Sequence, residues 1–109
     1  MQNEEYSLRY LPIFYDDLSE AVEYIANNLH SKQAALNLVN AVEKAILDRL
    51  PIAEAFEKYP SVRERRYPYY RIYVKNFIVF YVVIKDEGAL SIMEVRRLLY
   101  KKKNYKEFI

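Results

Sequence analysis

Phe77-Ile78-Val79-Phe80-Tyr81-Val82-Val83-Ile84 is an unbroken run of eight apolar residues, and its continuity decides the fold. A strand with one wet face would alternate, whereas a continuous run marks a strand covered on both faces. Eight residues are far too few to cross a bilayer. The run is therefore read as a central strand of a sheet. Before it, Lys75-Asn76 is placed to make a two-residue turn, although it lacks the usual glycine. Residues 66–74 are tyrosine-rich and alternate, with Tyr70, Ile72 and Val74 on one face and Tyr69, Arg71 and Tyr73 on the other. After the run, Asp86-Glu87-Gly88 signals a turn. Residues 90–98 give a further strand, and 101–109 a basic tail compatible with a helix.

The first half has a different period. Tyr6-Ser7-Leu8-Arg9-Tyr10-Leu11 alternates as a short strand does, and Pro12 is suited to the first position of a helix. Phe14, Leu18, Ala21, Val22, Ile25 and Leu29 then share one helical stripe. Asp16, Asp17, Glu20 and Glu23 sit near its start, where they favour the helix dipole. Asn27 to His30 makes a break, and Ser31 is a natural cap for a second helix. Its stripe is Ala35, Val39, Val42 and Ile46, widened by Leu38, Ala45 and Leu50, and Pro51 ends it. A loop spans 51–64, with a helical turn expected around 53–57. The order is β-αα-βββ, an α+β domain over 1–109 with a helical hairpin packed on a small antiparallel sheet.

Composition excludes several functions. At 109 residues, 52% of them hydrophobic, the chain buries roughly two thirds of its unfolded surface as one domain. It has no cysteine, so disulfides, thiolate catalysis and thiolate metal sites are ruled out. With a single histidine, an ordinary metal site cannot be built, and neither metal nor cofactor is expected. No targeting segment or membrane span is evident, so the chain reads as cytoplasmic. The net charge of +2 hides a separation. Residues 1–60 hold five Lys/Arg against ten Asp/Glu, a net of −5, and residues 61–109 hold twelve against five, a net of +7. That layout suggests a basic surface directed at a polyanion or an acidic partner.

Three groups of residues carry possible chemistry. Arg63, Arg65, Arg66 and Arg71 are interleaved with Tyr67, Tyr69 and Tyr70. Arginine grips phosphate with a rigid fork and tyrosine stacks on bases, so the group suits nucleic acid. A solvated strand edge is the plain alternative. Arg96 and Arg97 end the last strand, followed by Tyr100, Lys102, Lys103 and Tyr105. Lysine and tyrosine transfer protons where a basic neighbourhood lowers their pKa, and clustered cations stabilise a phosphorane-like charge. The alternative is a solubilising tail. His30 and the carboxylates of the first helix read as ordinary surface groups.

Tyr59-Pro60, the segment Arg71-Ile-Tyr-Val-Lys-Asn-Phe-Ile-Val-Phe-Tyr-Val-Val83 and the closing Arg97-Leu-Leu-Tyr-Lys-Lys-Lys-Asn-Tyr105 resemble the RelE/ParE superfamily of bacterial toxins. Members read as an arginine-led strand, a strand ending in Phe-Tyr, and a last strand closing on a basic aromatic motif. The Pro12 to Leu18 segment fits as well, so the resemblance spans almost the whole chain. It implies a growth-inhibiting toxin neutralised by a cognate antitoxin that wraps it. Some members cleave messenger RNA on the ribosome without a metal, and others poison DNA gyrase. The nuclease branch carries an arginine after the aromatic that opens the central strand, where this chain has Ile78. It also has a histidine where Tyr100 stands, and arginines where Lys102 and Lys103 stand. The departures favour gyrase poisoning, with ribosome-dependent RNA cleavage or an inactive interaction module as alternatives. On either toxic reading Arg71, Tyr100, Lys102, Lys103 and Tyr105 form the acting surface, and Arg63, Arg65, Arg66 and Arg97 contact nucleic acid. The antitoxin is expected as an acidic helix in a groove or a strand on the sheet edge.

Overall fold

The computed structural model describes residues 6–60, 66–85, 90–104 and 107–109. Strand β1 is Tyr6–Tyr10. Helix α1, Pro12–Glu23, runs on through a π turn at Tyr24–Asn28, and helix α2 is Lys32–Arg49. A 3₁₀ turn at Leu50–Ile52 precedes β2 (Tyr70–Val74), β3 (Phe77–Ile84) and β4 (Ser91–Tyr100). The fold is α+β, two helices on a four-stranded sheet of order β1-β4-β3-β2.

The local signals act as expected at most boundaries. Pro12 occupies the start of α1, and the Ser31 hydroxyl accepts from the Ala34 N–H at 3.1 Å to cap α2. Phe14, Ala21, Leu38, Val42 and Ile46 are buried along the facing stripes. Leu38 lies at the centre of the α2 stripe, and Val39 falls to its margin. Leu29 is exposed, contrary to the stripe drawn through it. The π turn holds more residues per turn than an α-helix, so it rotates Leu29 off the apolar face. His30 then takes a positive φ of 51°, which reverses the chain between the helices. Lys75 does the same at 54° in the hairpin turn, in the place where glycine would be easiest.

The sheet departs from the antiparallel expectation at one edge. β2, β3 and β4 are antiparallel neighbours, but β1 lies parallel to β4, Tyr6 opposite Ser91 and Tyr10 opposite Val95. Alternation within a strand shows its faces and not the direction of its partner, so the sequence carried no signal for this. The expected helical turn at 53–57 also differs: the helical geometry ends with the 3₁₀ turn, and Ala53 is fully buried beyond it. β2 opens at Tyr70 rather than at 66, since Pro68 has no N–H and the Tyr69 carbonyl accepts from the Tyr59 N–H. β4 runs two residues past the expected end. The Asp86-Glu87-Gly88 turn lies outside the described residues. The tail forms no α-helix among its described residues. It turns at 101–103 and ends with Ile109 buried.

β3 is covered on both faces, as its apolar run requires. Val79, Tyr81 and Val83 join the helix-side core with Leu38, Val42 and Ile46. Ile78, Phe80 and Val82 join a second cluster on the outer face with Tyr69, Leu99 and Ile109, flanked by Tyr59, Tyr67 and Phe108. Replacing Ile46, 1% exposed, by alanine is expected to cost about 2–5 kcal/mol in urea unfolding. Leu47→Ala on the neighbouring solvent face should stay within about 0.5 kcal/mol. Equal losses at the two positions would contradict this placement of the core.

Candidate functional site

The end of β4 is built by an irregularity in the strand. Phe80 pairs with Arg97 and Tyr81 with Val95, so Arg96 is an extra residue, a β-bulge. β1 stops alongside Val95, which leaves the remaining edge of β4 without a strand partner among the described residues. Asp17 of α1 takes over there. Its Oδ2 accepts from the Leu98 N–H at 3.0 Å, and its two oxygens hold Arg97 in a fork at 2.8 and 3.0 Å. Hydrogen bonding to Asp17 raises the Arg97 pKa, against the opposing effect of burial. Asp17 is thus a cross-link and not the solvated surface carboxylate its sequence context suggested. Eighty residues separate it from Arg97, so no local pattern could reveal the pair.

Beyond Leu99 the chain carries the tail residues. Tyr100 is opposite Phe77, its ring edge-on at 5.7 Å, and is 41% exposed. The Lys101 N–H donates to the Asn76 carbonyl and the Lys103 N–H to the Tyr100 carbonyl, each at 2.9 Å, so the turn is tied to the β2–β3 hairpin. Lys102 is exposed. The Lys103 ammonium lies 4.7 Å from the centre of the Phe108 ring, and the Arg97 guanidinium 5.0 Å from it. Tyr105 lies outside the described residues. Tyr100 and Lys103 also line a groove of about 800 Å³ between the tip of the helical hairpin and the sheet, with Tyr24, Ile25, Leu38 and Lys75.

Arg71 is not part of that corner. It pairs across β2 and β3 with Phe80, which belongs to the outer cluster, whereas Tyr100 pairs with Phe77 on the helix side. The register therefore sets Arg71 and Tyr100 on opposite faces of the sheet. Arg66 is exposed, 5.3 Å from the Tyr67 ring centre. Arg63 and Arg65 lie outside the described residues. His30 is exposed in the turn between the helices. Among the described residues no cluster of acidic or histidine side chains could hold a metal.

Two further polar arrangements escaped the sequence reading. Glu94, 4% exposed, accepts from Arg9 and Arg96 at 2.8 Å each, tying β1 to β4. Burial pushes its pKa up, but the bonds from Arg96 and Arg9 outweigh burial together and hold it below the ordinary value. Arg49, at the end of α2, donates to the Tyr81 hydroxyl at 2.9 Å and the Arg71 carbonyl at 3.3 Å, and Tyr81 donates to the Ala53 carbonyl at 2.6 Å. Burial raises the Tyr81 pKa, opposed by the Arg49 hydrogen bond.

With this geometry, the comparisons with known proteins agree. The family described as ParE toxin of type II toxin-antitoxin system, parDE, matches residues 8–98, and the chain belongs to that family. Family membership implies a cognate antitoxin. Among solved structures, the chromosomal ParDE TA system from P. aeruginosa is similar, with a TM-score of 0.68 at 14% identity over 87% of this chain and 95% of that one. At that identity the likeness shows the fold. No curated protein matches the sequence. No helix among the described residues is long and apolar enough to cross a membrane.

The Glu94 pair gives a pH prediction. Its folded pKa is lowered, so its stabilisation is complete above the unfolded carboxylate range and is lost as pH falls through the folded value. Glu94→Gln should cost about 1.5–3 kcal/mol at neutral pH. It should also flatten the acid-side loss of stability, measured by urea unfolding across a pH series. An unaltered acid-side slope in the variant would contradict the pairing.

Proposed function

We propose that the free toxin arrests growth by binding DNA gyrase, with no bond-breaking chemistry of its own, and that it acts through the end of β4 and the turn after it. The residue following Phe77 carries the reading. In the nuclease branch of the superfamily that the sequence resembles, an arginine stands there. Here Ile78, 1% exposed, packs in the outer core with Phe80 and Val82. A buried aliphatic side chain at that position supplies neither a phosphate contact nor charge stabilisation. Tyr100, Lys102, Lys103 and Tyr105 are left as the surface that a target would read. The antitoxin is accommodated as an acidic segment over the groove lined by Lys75 and Lys103 or along a free sheet edge, and salt weakens its capture by screening these cations.

Conditional expression without antitoxin tests the proposal. Lys102→Ala combined with Lys103→Ala should relieve growth arrest and change unfolding by no more than about 0.5 kcal/mol, and it should weaken antitoxin capture without abolishing it, because Lys75 keeps its charge in the groove. Tyr100→Phe should remain toxic, because a binding surface loses little with the hydroxyl. The purified toxin should inhibit gyrase supercoiling and leave ribosome-bound messenger RNA uncut. RNA breakage that Tyr100→Phe suppresses would establish the nuclease instead. A fully toxic double-lysine variant would move the site elsewhere, first to residues 63–66.

A further inference from the structure

Arg71 stands apart from the other arginines of the sheet. Arg9 and Arg96 share the Glu94 carboxylate, and Arg97 is paired with Asp17. Arg71 is half-buried, yet its guanidinium has no hydrogen bond or ion pair with any acceptor among the described residues. Two tyrosines hold it, its carbon lying 5.1 Å from the ring centre of Tyr59 and 5.8 Å from that of Tyr73. Tyr59 is itself anchored edge-on against Phe80 at 5.6 Å. Tyr73 is 61% exposed and offers an open ring. Arg49, whose guanidinium donates to the Arg71 carbonyl, likewise has no carboxylate within ion-pair distance among the described residues. Arg71 on the outer edge of β2 and Arg49 at the end of α2 beside it are thus two guanidinium groups without a counter-ion among the described residues.

We propose that Arg71, with Tyr59 and Tyr73, forms a binding site on the outer face of the sheet for the phosphodiester backbone of single-stranded nucleic acid. A half-buried charge without a partner is costly to keep, and a ligand oxyanion relieves that cost. The flanking rings restrict the guanidinium before a ligand arrives, so less side-chain freedom is lost when its fork closes on a phosphate. An open aromatic ring beside that fork matches a phosphate with its neighbouring base, since every base has a face to stack. An acidic peptide would satisfy the charge and leave the exposed ring unused. The site lies on the face opposite Tyr100, so it is independent of the surface assigned to growth arrest.

The full-length toxin, titrated into fluorescent thymidine and uridine homo-oligonucleotides over a salt series, tests this by anisotropy. Affinity should fall with salt for at least one oligonucleotide, and the DNA and RNA arms show which sugar accompanies the phosphate. Arg71→Ala should weaken binding about tenfold or more and reduce the slope of log affinity against log salt by about one. Arg71→Lys, which keeps the charge but not the fork, should fall between the two and guards against a fold defect in the alanine variant. Tyr73→Ala should weaken binding about fivefold or more through lost stacking. Absence of binding to both oligonucleotides overturns the proposal. So does unchanged affinity in Arg71→Ala with a native circular dichroism spectrum. Arg71-dependent capture of a glutamate-rich peptide in place of the oligonucleotides overturns it as well.

Discussion

Past Val95, strand β4 has no neighbouring strand among the described residues on the side where β1 has ended. Backbone donors on such an edge must find another acceptor or lose stability, and an open edge also invites pairing with other chains. Asp17 resolves this by reaching from α1 to the Leu98 N–H while its carboxylate forks Arg97. One side chain therefore fixes the distance of α1 from the sheet, completes the edge of β4 and orders the strand end that bears Tyr100. The groove beside that end owes its shape to the same contact, for Asp17 and Arg97 both line it.

The sheet separates two chemistries. Its helix-side face combines aliphatic side chains from both helices with Phe14, Tyr70 and Tyr81, the last held by Arg49 and Ala53. Its outer face is covered by aromatic rings and by the returning tail, with Phe108 set between Arg97 and Lys103. Cations resting on rings keep apolar cover over β3 while leaving their charge near solvent. The basic second half of the chain is thus distributed around the sheet. Part of its charge is neutralised by Glu94 and Asp17, part belongs to the tail turn, and part remains at the edge of β2.

What could be read in the sequence was whatever local physics determines. The unbroken run of β3, the stripes of α1 and α2, the Ser31 cap and the Lys75-Asn76 turn each follow from neighbours a few residues apart, and together they suffice for the α+β class. The family was readable because its motifs recur in order along the chain. Relationships across strands were not readable. The parallel direction of β1 leaves no trace in its alternation, and the bulge at Arg96 is marked by no glycine. The π turn that displaces Leu29 looks like ordinary helix. Whether Arg71 and Tyr100 share a face depends on register across three strands, which the sequence of any one of them does not contain. Asp17 looked like a solvated acid because Arg97 is remote in sequence, and the pairing of Glu94 carried no local signal because Arg9 is remote and Arg96 stands on a bulge.

The tail surface depends on α1 through Asp17, and amide hydrogen exchange on Asp17→Ala measures that dependence directly. Exchange at Leu98 and Leu99 should speed up by about tenfold or more, the equivalent of one lost charge-assisted hydrogen bond. Amides of β4 that pair with β1, from Ser91 to Val95, should keep their protection. Unchanged protection at Leu98 would show that Asp17 does not hold this edge of β4, and so would loss spread evenly along the strand.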